Sequence, residues 1–228
     1  MLKKILILLC LTPTVLHGAD ELFEEFEIRV IRPRYFTKRH RFEIGAQFAA
    51  ITNQTFVYTY LLAANVGYHF SEQWGAELVG AYGLSLEKTE KQILDKDFDI
   101  NTQVATTERY YGGNVRWTPM YGKYQLRNGR LIYFDTFLSA GGGLLGIRQR
   151  YDHCGEGSTR SPGVFDYPFF ELGLGQRFFV SQSDSLRWDL KGQVYTVNSS
   201  DSACVEGTEG ENFFAPNITL QLGYGRFL

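Results

Sequence analysis

The sequence contains no apolar run long enough to cross a membrane as a helix, and it carries little excess charge. Such a helix needs roughly 18 or more consecutive apolar residues, and no stretch of the 228-residue chain approaches that length. The formal net charge of -2 excludes a strongly basic nucleic-acid-binding protein as the starting hypothesis. We therefore expect no helical membrane span and no nucleic acid among the partners.

Cysteine is also scarce, with three residues in the whole chain. Cys10 lies in the N-terminal apolar run 5–11, which follows two lysines and precedes Gly18 and Ala19. This order is typical of a secretory signal peptide, so we predict a signal peptide over residues 1–19 and an exported mature chain. The small residues of a lipoprotein cleavage site do not surround Cys10, which disfavours a lipid anchor.

Removal of the signal peptide leaves two cysteines, Cys154 and Cys204. An even number of cysteines in an exported chain indicates a disulfide formed in an oxidising compartment. We predict that Cys154 and Cys204 are joined, and two unpaired thiols are the alternative.

Polar and apolar residues alternate through much of the chain, most regularly after residue 185. There Leu186, Trp188 and Leu190 alternate with Arg187 and Asp189. Successive side chains of a β-strand point to opposite faces, so this pattern predicts a strand with one apolar and one charged face. Similar alternation predicts eight strands in all, at residues 42–51, 57–70, 74–84, 109–118, 131–146, 167–180, 186–197 and 218–224.

We predict that these strands form an all-β fold, an eight-stranded antiparallel up-and-down transmembrane β-barrel over residues 41–228. The connections after the second and sixth strands are short, whereas those after the third, fifth and seventh are long. Outer-membrane barrels have short periplasmic turns and long outer loops in this sense. Residues 119–128, between the fourth and fifth strands, are expected to form a rigid turn region.

The polar face of the strands decides between a membrane barrel and a soluble, lipocalin-like barrel. A soluble barrel would hide its leucine, valine and phenylalanine face, whereas a membrane barrel turns that face to lipid and the polar face inward. Nine inward side chains carry charges that nearly balance, as buried ion pairs require. We therefore predict an outer-membrane protein of a Gram-negative bacterium, in contact with membrane lipids, whose interior polar cluster is Glu43, Glu77, Arg116, Asp135, Glu171, Arg177, Arg187, Asp189 and Lys191.

The three tryptophans support the same choice. Trp74 begins the third predicted strand, Trp117 ends the fourth and Trp188 begins the seventh, so all three lie at one end and on the apolar face. Amphipathic aromatic rings are enriched at membrane interfaces. We predict that these three residues mark one membrane interface.

Residues 20–40 are expected to form a periplasmic N-terminal tail. An acidic patch is followed there by a basic cluster that includes Arg34 and Lys38, and Pro33 interrupts the segment. Such a segment is a poor core element. Its basic cluster either rests on anionic lipid headgroups or forms a solvated arm.

Three motifs carry a family resemblance: Arg41-Phe42-Glu43, the run from Tyr68 to Glu77, and the run from Thr118 to Lys123 with Phe134-Asp135 after it. With these motifs the chain from about Ile28 onward resembles a family of outer-membrane β-barrel domain proteins of gliding and predatory bacteria. The resemblance implies a component of a gliding-motility or adhesion complex and carries no catalytic motif. The chain departs from the common terminal phenylalanine of outer-membrane barrels, because it ends in Phe227-Leu228.

No pattern indicates a catalytic residue, a cofactor or a metal site. His69 and His153 have no serine or carboxylate at a spacing that would enforce a catalytic pair. The group Asp152, His153, Cys154 and Glu156 lacks a second pair of ligands at a known metal-binding spacing.

We therefore expect a non-enzymatic structural or interaction component of the cell envelope, with envelope or motility-complex proteins as partners. A narrow channel for small solutes is the first alternative. A barrel-borne lipid-modifying enzyme is the second.

Overall fold

The computed structural model describes residues 36–98, 104–125, 127, 129, 131–149, 163–198 and 210–228. Each strand pairs antiparallel with the next one along the chain, and the last strand pairs with the first, which closes a barrel. This confirms the predicted fold class. The elements are β1 Phe42–Ile51, β2 Val57–His69, β3 Trp74–Glu87, α1 Thr89–Asp97, β4 Ala105–Gln125, β5 Leu131–Gln149, β6 Gly163–Phe179, β7 Asp184–Asn198 and β8 Asn212–Phe227.

The two faces of each strand differ in polarity as the alternation predicts. In β1, Phe42 and Phe48 are about half exposed on the outside, whereas Glu43 and Gln47 are buried inside. Apolar side chains on the outside of the barrel can contact lipid, and the polar and charged side chains fill the lumen. Within the described ranges, no helix is both long and apolar enough to span a membrane.

The lengths of the connections between strands show which end of the barrel is periplasmic and which is outer. The termini of the barrel and the tight turns 70–73 and 180–183 lie at one end, which we assign to the periplasm. The connections 52–56 and 88–104 leave the opposite, outer end. Segments 150–162 and 199–209, which carry Cys154 and Cys204 between β5 and β6 and between β7 and β8, lie outside the described residues.

The prediction of a turn region at residues 119–128 was wrong for most of its length. Met120 to Gln125 continue β4 and pair with β5, with a register shift between Trp117 and Met120. Pro119, which cannot donate a backbone hydrogen bond, lies in this bulge. The resulting hairpin extends past the other strands at the periplasmic end.

Glycine in the middle of β5 allows close packing of strands. A Cβ atom on Gly143 would lie 1.9 Å from the carbonyl oxygen of Tyr111, and one on Gly141 would lie 2.2 Å from that of Gly113. No other residue fits without moving the backbone. The glycine run therefore serves close packing of the strands.

Candidate functional site: the charged lumen and its periplasmic plug

The centre of the lumen is built around Glu77 on β3. Its carboxylate accepts hydrogen bonds from Arg187 Nη1 and Nη2 at 2.6 and 3.1 Å, and Arg116 Nη2 lies 2.5 Å away. Asn65 Nδ2 donates a further hydrogen bond at 2.9 Å. Because β3 and β7 stand opposite each other in an eight-stranded ring, the pair of Glu77 and Arg187 crosses the lumen.

A second acidic centre lies towards the periplasm. The Glu43 carboxylate is fully buried and lies 3.0 Å from Arg177 Nη2 and 3.6 Å from Arg116 Nη1. His69 Nε2 lies 2.9 Å from the same carboxylate. Arg116 therefore links the Glu43 and Glu77 centres into one network.

A third acidic centre, Glu171 on β6, lies towards the outer end. Its carboxylate accepts hydrogen bonds from Lys191 Nζ at 3.0 Å, Tyr110 Oη at 3.0 Å and Gln193 Nε2 at 3.1 Å. These donors come from β7 and β4, so they also tie different walls of the barrel together. Charge-assisted hydrogen bonds of this kind are stronger than neutral ones.

Lys38 enters the lumen from the segment that precedes β1. Its Nζ lies 2.5 Å from Asp135 Oδ2 on β5, and the side chain is 2% exposed. The backbone amides of Lys38 and Arg39 donate to Glu72 Oε1 at 3.2 and 3.0 Å. Burial lowers the pKa of the Lys38 ammonium, and the Asp135 carboxylate opposes that shift. The basic cluster was expected either to rest on lipid headgroups or to form a solvated arm. Lys38 does neither, because its side chain is buried in the lumen.

Aromatic rings close the periplasmic mouth beside Lys38. Phe36 packs against Phe179 and Phe227, with ring centroids 4.7 and 4.6 Å apart, and all three are buried. Tyr121 and Tyr133 pack against this cluster from the β4–β5 hairpin. We call Phe36, Lys38, Phe179 and Phe227 the periplasmic plug.

An apolar cluster lies in the outer half of the lumen, which sequence reasoning missed. Tyr110 and Phe169 pack with centroids 5.0 Å apart, and Leu145 beside them is fully buried. In β5, Leu144 faces outward and Leu145 faces inward. Both faces of the strand are therefore apolar here, and the sequence shows no polar–apolar alternation from which the inward face could be recognised. The cluster consists of Val79, Tyr110, Leu145, Ile147, Tyr167, Phe169 and Val197.

All nine residues of the expected polar cluster point into the lumen, each at most 5% exposed. Sequence reasoning missed Lys38 as a tenth charged member, because the segment before β1 has no strand periodicity. It also left His69, the partner of Glu43, as a polar residue at the base of the barrel. The signal for His69 was present, since it falls on the inward phase of β2.

The three tryptophans occupy different depths. Trp74 and Trp117 are opposite each other in the β3–β4 ladder and stack with centroids 6.2 Å apart. Trp188 lies four residues inside β7 and is half-buried between Gln176 and Leu222. Trp74 and Trp117 suit an interface position, whereas Trp188 lies further into the wall.

No described residues form a metal site: the ranges given above contain no group of three or more His, Cys, Asp or Glu side chains that could hold an ion. His153 and the rest of its acidic group lie outside those ranges.

Comparisons with known proteins find similarity in the fold alone. No protein-family model and no curated protein matches the chain, so the resemblance to a gliding-bacteria family finds no support there. Among solved structures, the N-terminal β-barrel domain of Pseudomonas aeruginosa OprF matches 83% of this chain and 98% of that chain, with a TM-score of 0.51 and 12% identity. Neisserial surface protein A (82% and 95%, TM-score 0.46, 8% identity) and OprG from Pseudomonas aeruginosa (85% and 98%, TM-score 0.43, 13% identity) also match.

The fold is therefore that of an eight-stranded outer-membrane β-barrel. The likeness to the OprF domain shows a shared fold, and at this identity it shows nothing about shared activity. Barrels of this type belong to the outer membrane of Gram-negative bacteria, which is the localisation that the sequence predicts.

Proposed function

We propose that this chain is a non-enzymatic outer-membrane barrel with a closed lumen, which serves the cell envelope as a structural or interaction component. The observation that carries the proposal is the ion pair of Glu77 and Arg187 across the lumen, held in a network with Arg116. An eight-stranded barrel has an interior just wide enough for side chains to fill. Here three layers fill it: the plug, the charged network and the outer apolar cluster.

A closed lumen leaves the two ends of the barrel as its working surfaces. The outer end carries α1 and the long connections, and the periplasmic end carries the β4–β5 hairpin. The family resemblance of the sequence motifs suggests a motility or adhesion complex as the setting. The proposal of an interaction component depends on the filled lumen and not on that resemblance.

The lipid-modifying alternative has little to build on in the described residues. His69 is buried inside the lumen, and its ring contacts the Glu43 carboxylate, which is itself paired with Arg177. A lipid substrate approaches from the membrane or from an end of the barrel. The pair is buried within the charged network, and the His69 ring lies 5.4 Å from the ring of Phe227 in the periplasmic plug, so such a substrate does not meet it.

Conductance of the purified mature protein in planar lipid bilayers tests the proposal against the narrow-channel alternative. We expect insertion without discrete current steps, with a known porin recorded in the same bilayers as the positive control. Regular steps of one size, in proportion to the amount of inserted protein, would establish a channel and end the closed-lumen proposal.

A further inference from the structure

The β4 strand of the hairpin at the periplasmic end continues past the end of β3, its neighbour in the described sheet. We define the periplasmic hairpin as residues 120–134. In the described part of the chain, the β3–β4 ladder ends where Trp74 meets Trp117. β4 nevertheless continues through Gly122, Lys123 and Tyr124, paired on its other side with β5. Such an edge presents unpaired backbone donors and acceptors that a further strand can use.

The described residues of the hairpin pack closely against each other and against the barrel, which favours one conformation of its edge. The rings of Tyr124 and Phe134 stack with centroids 4.3 Å apart and an interplanar angle of 12°. The Phe134 ring covers Gly122, where a Cβ atom would lie 2.6 Å from it. On the other face, Tyr121 and Tyr133 pack against the periplasmic plug. A preorganised edge loses little conformational entropy on binding.

The hairpin reaches beyond the lipid. Residues 118–125 continue β4 past Trp117, which at about 3.3 Å per residue and a tilt of about 40° extends it by roughly 15–20 Å. The headgroup layer on one side of a bilayer is only about 5–8 Å thick. The end of the edge therefore lies in the periplasmic space, where a protein can reach it and lipid headgroups do not.

The charge of the hairpin selects the partner. Residues 120–134 contain three cations, Lys123, Arg127 and Arg130, and no aspartate or glutamate. Lys123 and Arg127 are exposed. A second copy of the same edge would bring like charges together, which opposes pairing, whereas an acidic strand would be attracted. We propose that the periplasmic hairpin binds an acidic, extended segment of a periplasmic protein by strand addition to the β4 edge.

This inference rests on the proposed function, because it names the partner class of the interaction component. The test uses labelled eight-residue peptides and the mature protein in detergent micelles, with fluorescence anisotropy as the readout. The first peptide alternates glutamate and valine. The second alternates lysine and valine, and the third alternates glutamate and proline, which keeps the charge but cannot pair as a strand.

We expect the glutamate–valine peptide to bind at least about tenfold more tightly than either of the other two. Lys123→Glu should weaken its binding by about tenfold, whereas Lys96→Glu, the same change on the exposed end of α1 at the outer side, should leave it unchanged. Equal binding of the glutamate–proline peptide, or equal effects of the two substitutions, would overturn strand addition at this edge. A lack of peptide binding would also overturn the proposal. It would do so even if the protein bound phosphatidylglycerol vesicles and Lys123→Glu abolished that binding.

The two proposals fail separately. Current steps in planar bilayers together with specific peptide binding would refute the closed lumen and keep the docking edge. An absence of current steps together with an absence of peptide binding would keep the closed lumen and refute the docking edge.

Discussion

Lys38 and Asp135 form an ion pair, with 2.5 Å between Nζ and Oδ2, that joins the segment before the first strand to the fifth strand. The buried charged residues described on the strands are five carboxylates and four cations, and Lys38 makes the numbers equal. A buried charge without a partner is strongly destabilising. Lys38 thus contributes to the charge balance of the lumen, and Phe36 beside it helps to close the periplasmic mouth.

Lys38→Met should lower the free energy of unfolding by about 3 kcal/mol, because it removes the nearest partner of a buried carboxylate. Arg177 Nη1, 4.0 Å from Asp135 Oδ2, compensates only in part. Urea unfolding in lipid vesicles measures the loss. Lys123→Met on the exposed hairpin is the matched control, with an expected change below about 0.5 kcal/mol; equal effects of the two variants would contradict the role of Lys38.

Glu77→Gln should destabilise the barrel by about 3–5 kcal/mol, because Arg116 and Arg187 would lose the carboxylate that they share. The same substitution at Glu90, which is exposed in the first turn of α1, should change little. Urea unfolding again provides the comparison. If Glu77→Gln proved as mild as Glu90→Gln, the network would not be what holds the walls together.

Leu172→Arg should impair insertion and folding by about 2–4 kcal/mol, since Leu172 faces lipid near the middle of β6. Leu86→Arg places the same side chain near the outer end of β3, where the loss should be about 0–1 kcal/mol. Folding yield into lipid vesicles, followed by gel mobility without heating, reports both variants. Equal losses would mean that depth in the membrane does not govern these positions.

Cys154 and Cys204 remain a prediction from the sequence. They lie in the segments between β5 and β6 and between β7 and β8, whose flanking strand ends belong to the outer end of the barrel. A membrane-impermeant maleimide should therefore label whole cells only after reduction. Labelling without reduction would disprove the disulfide, and labelling that required lysis would disprove the outer position.

The strands of the barrel wall could be predicted from the sequence more fully than the contacts that close the lumen and the periplasmic mouth. Alternation with a period of two places Phe42 outside and Glu43 inside wherever one face is polar, because the strand geometry leaves no other arrangement. It does not pair Lys38 with Asp135, since closure of the ring brings together residues 97 positions apart. It also misassigned Pro119 and Gly122 as turn residues, because their usual preference for turns is overridden by a bulge and by the ring of Phe134.

Water access to the middle of the lumen tests the closed barrel most directly. Thr219 is fully buried on the inward face of β8, and its neighbour Leu220 faces lipid. In a chain with its native cysteines replaced by serine, Thr219→Cys should react with a small, charged, water-soluble thiosulfonate at least about 100-fold more slowly than Lys123→Cys on the exposed hairpin. Reaction of both at similar rates would show a water-filled lumen and contradict the account.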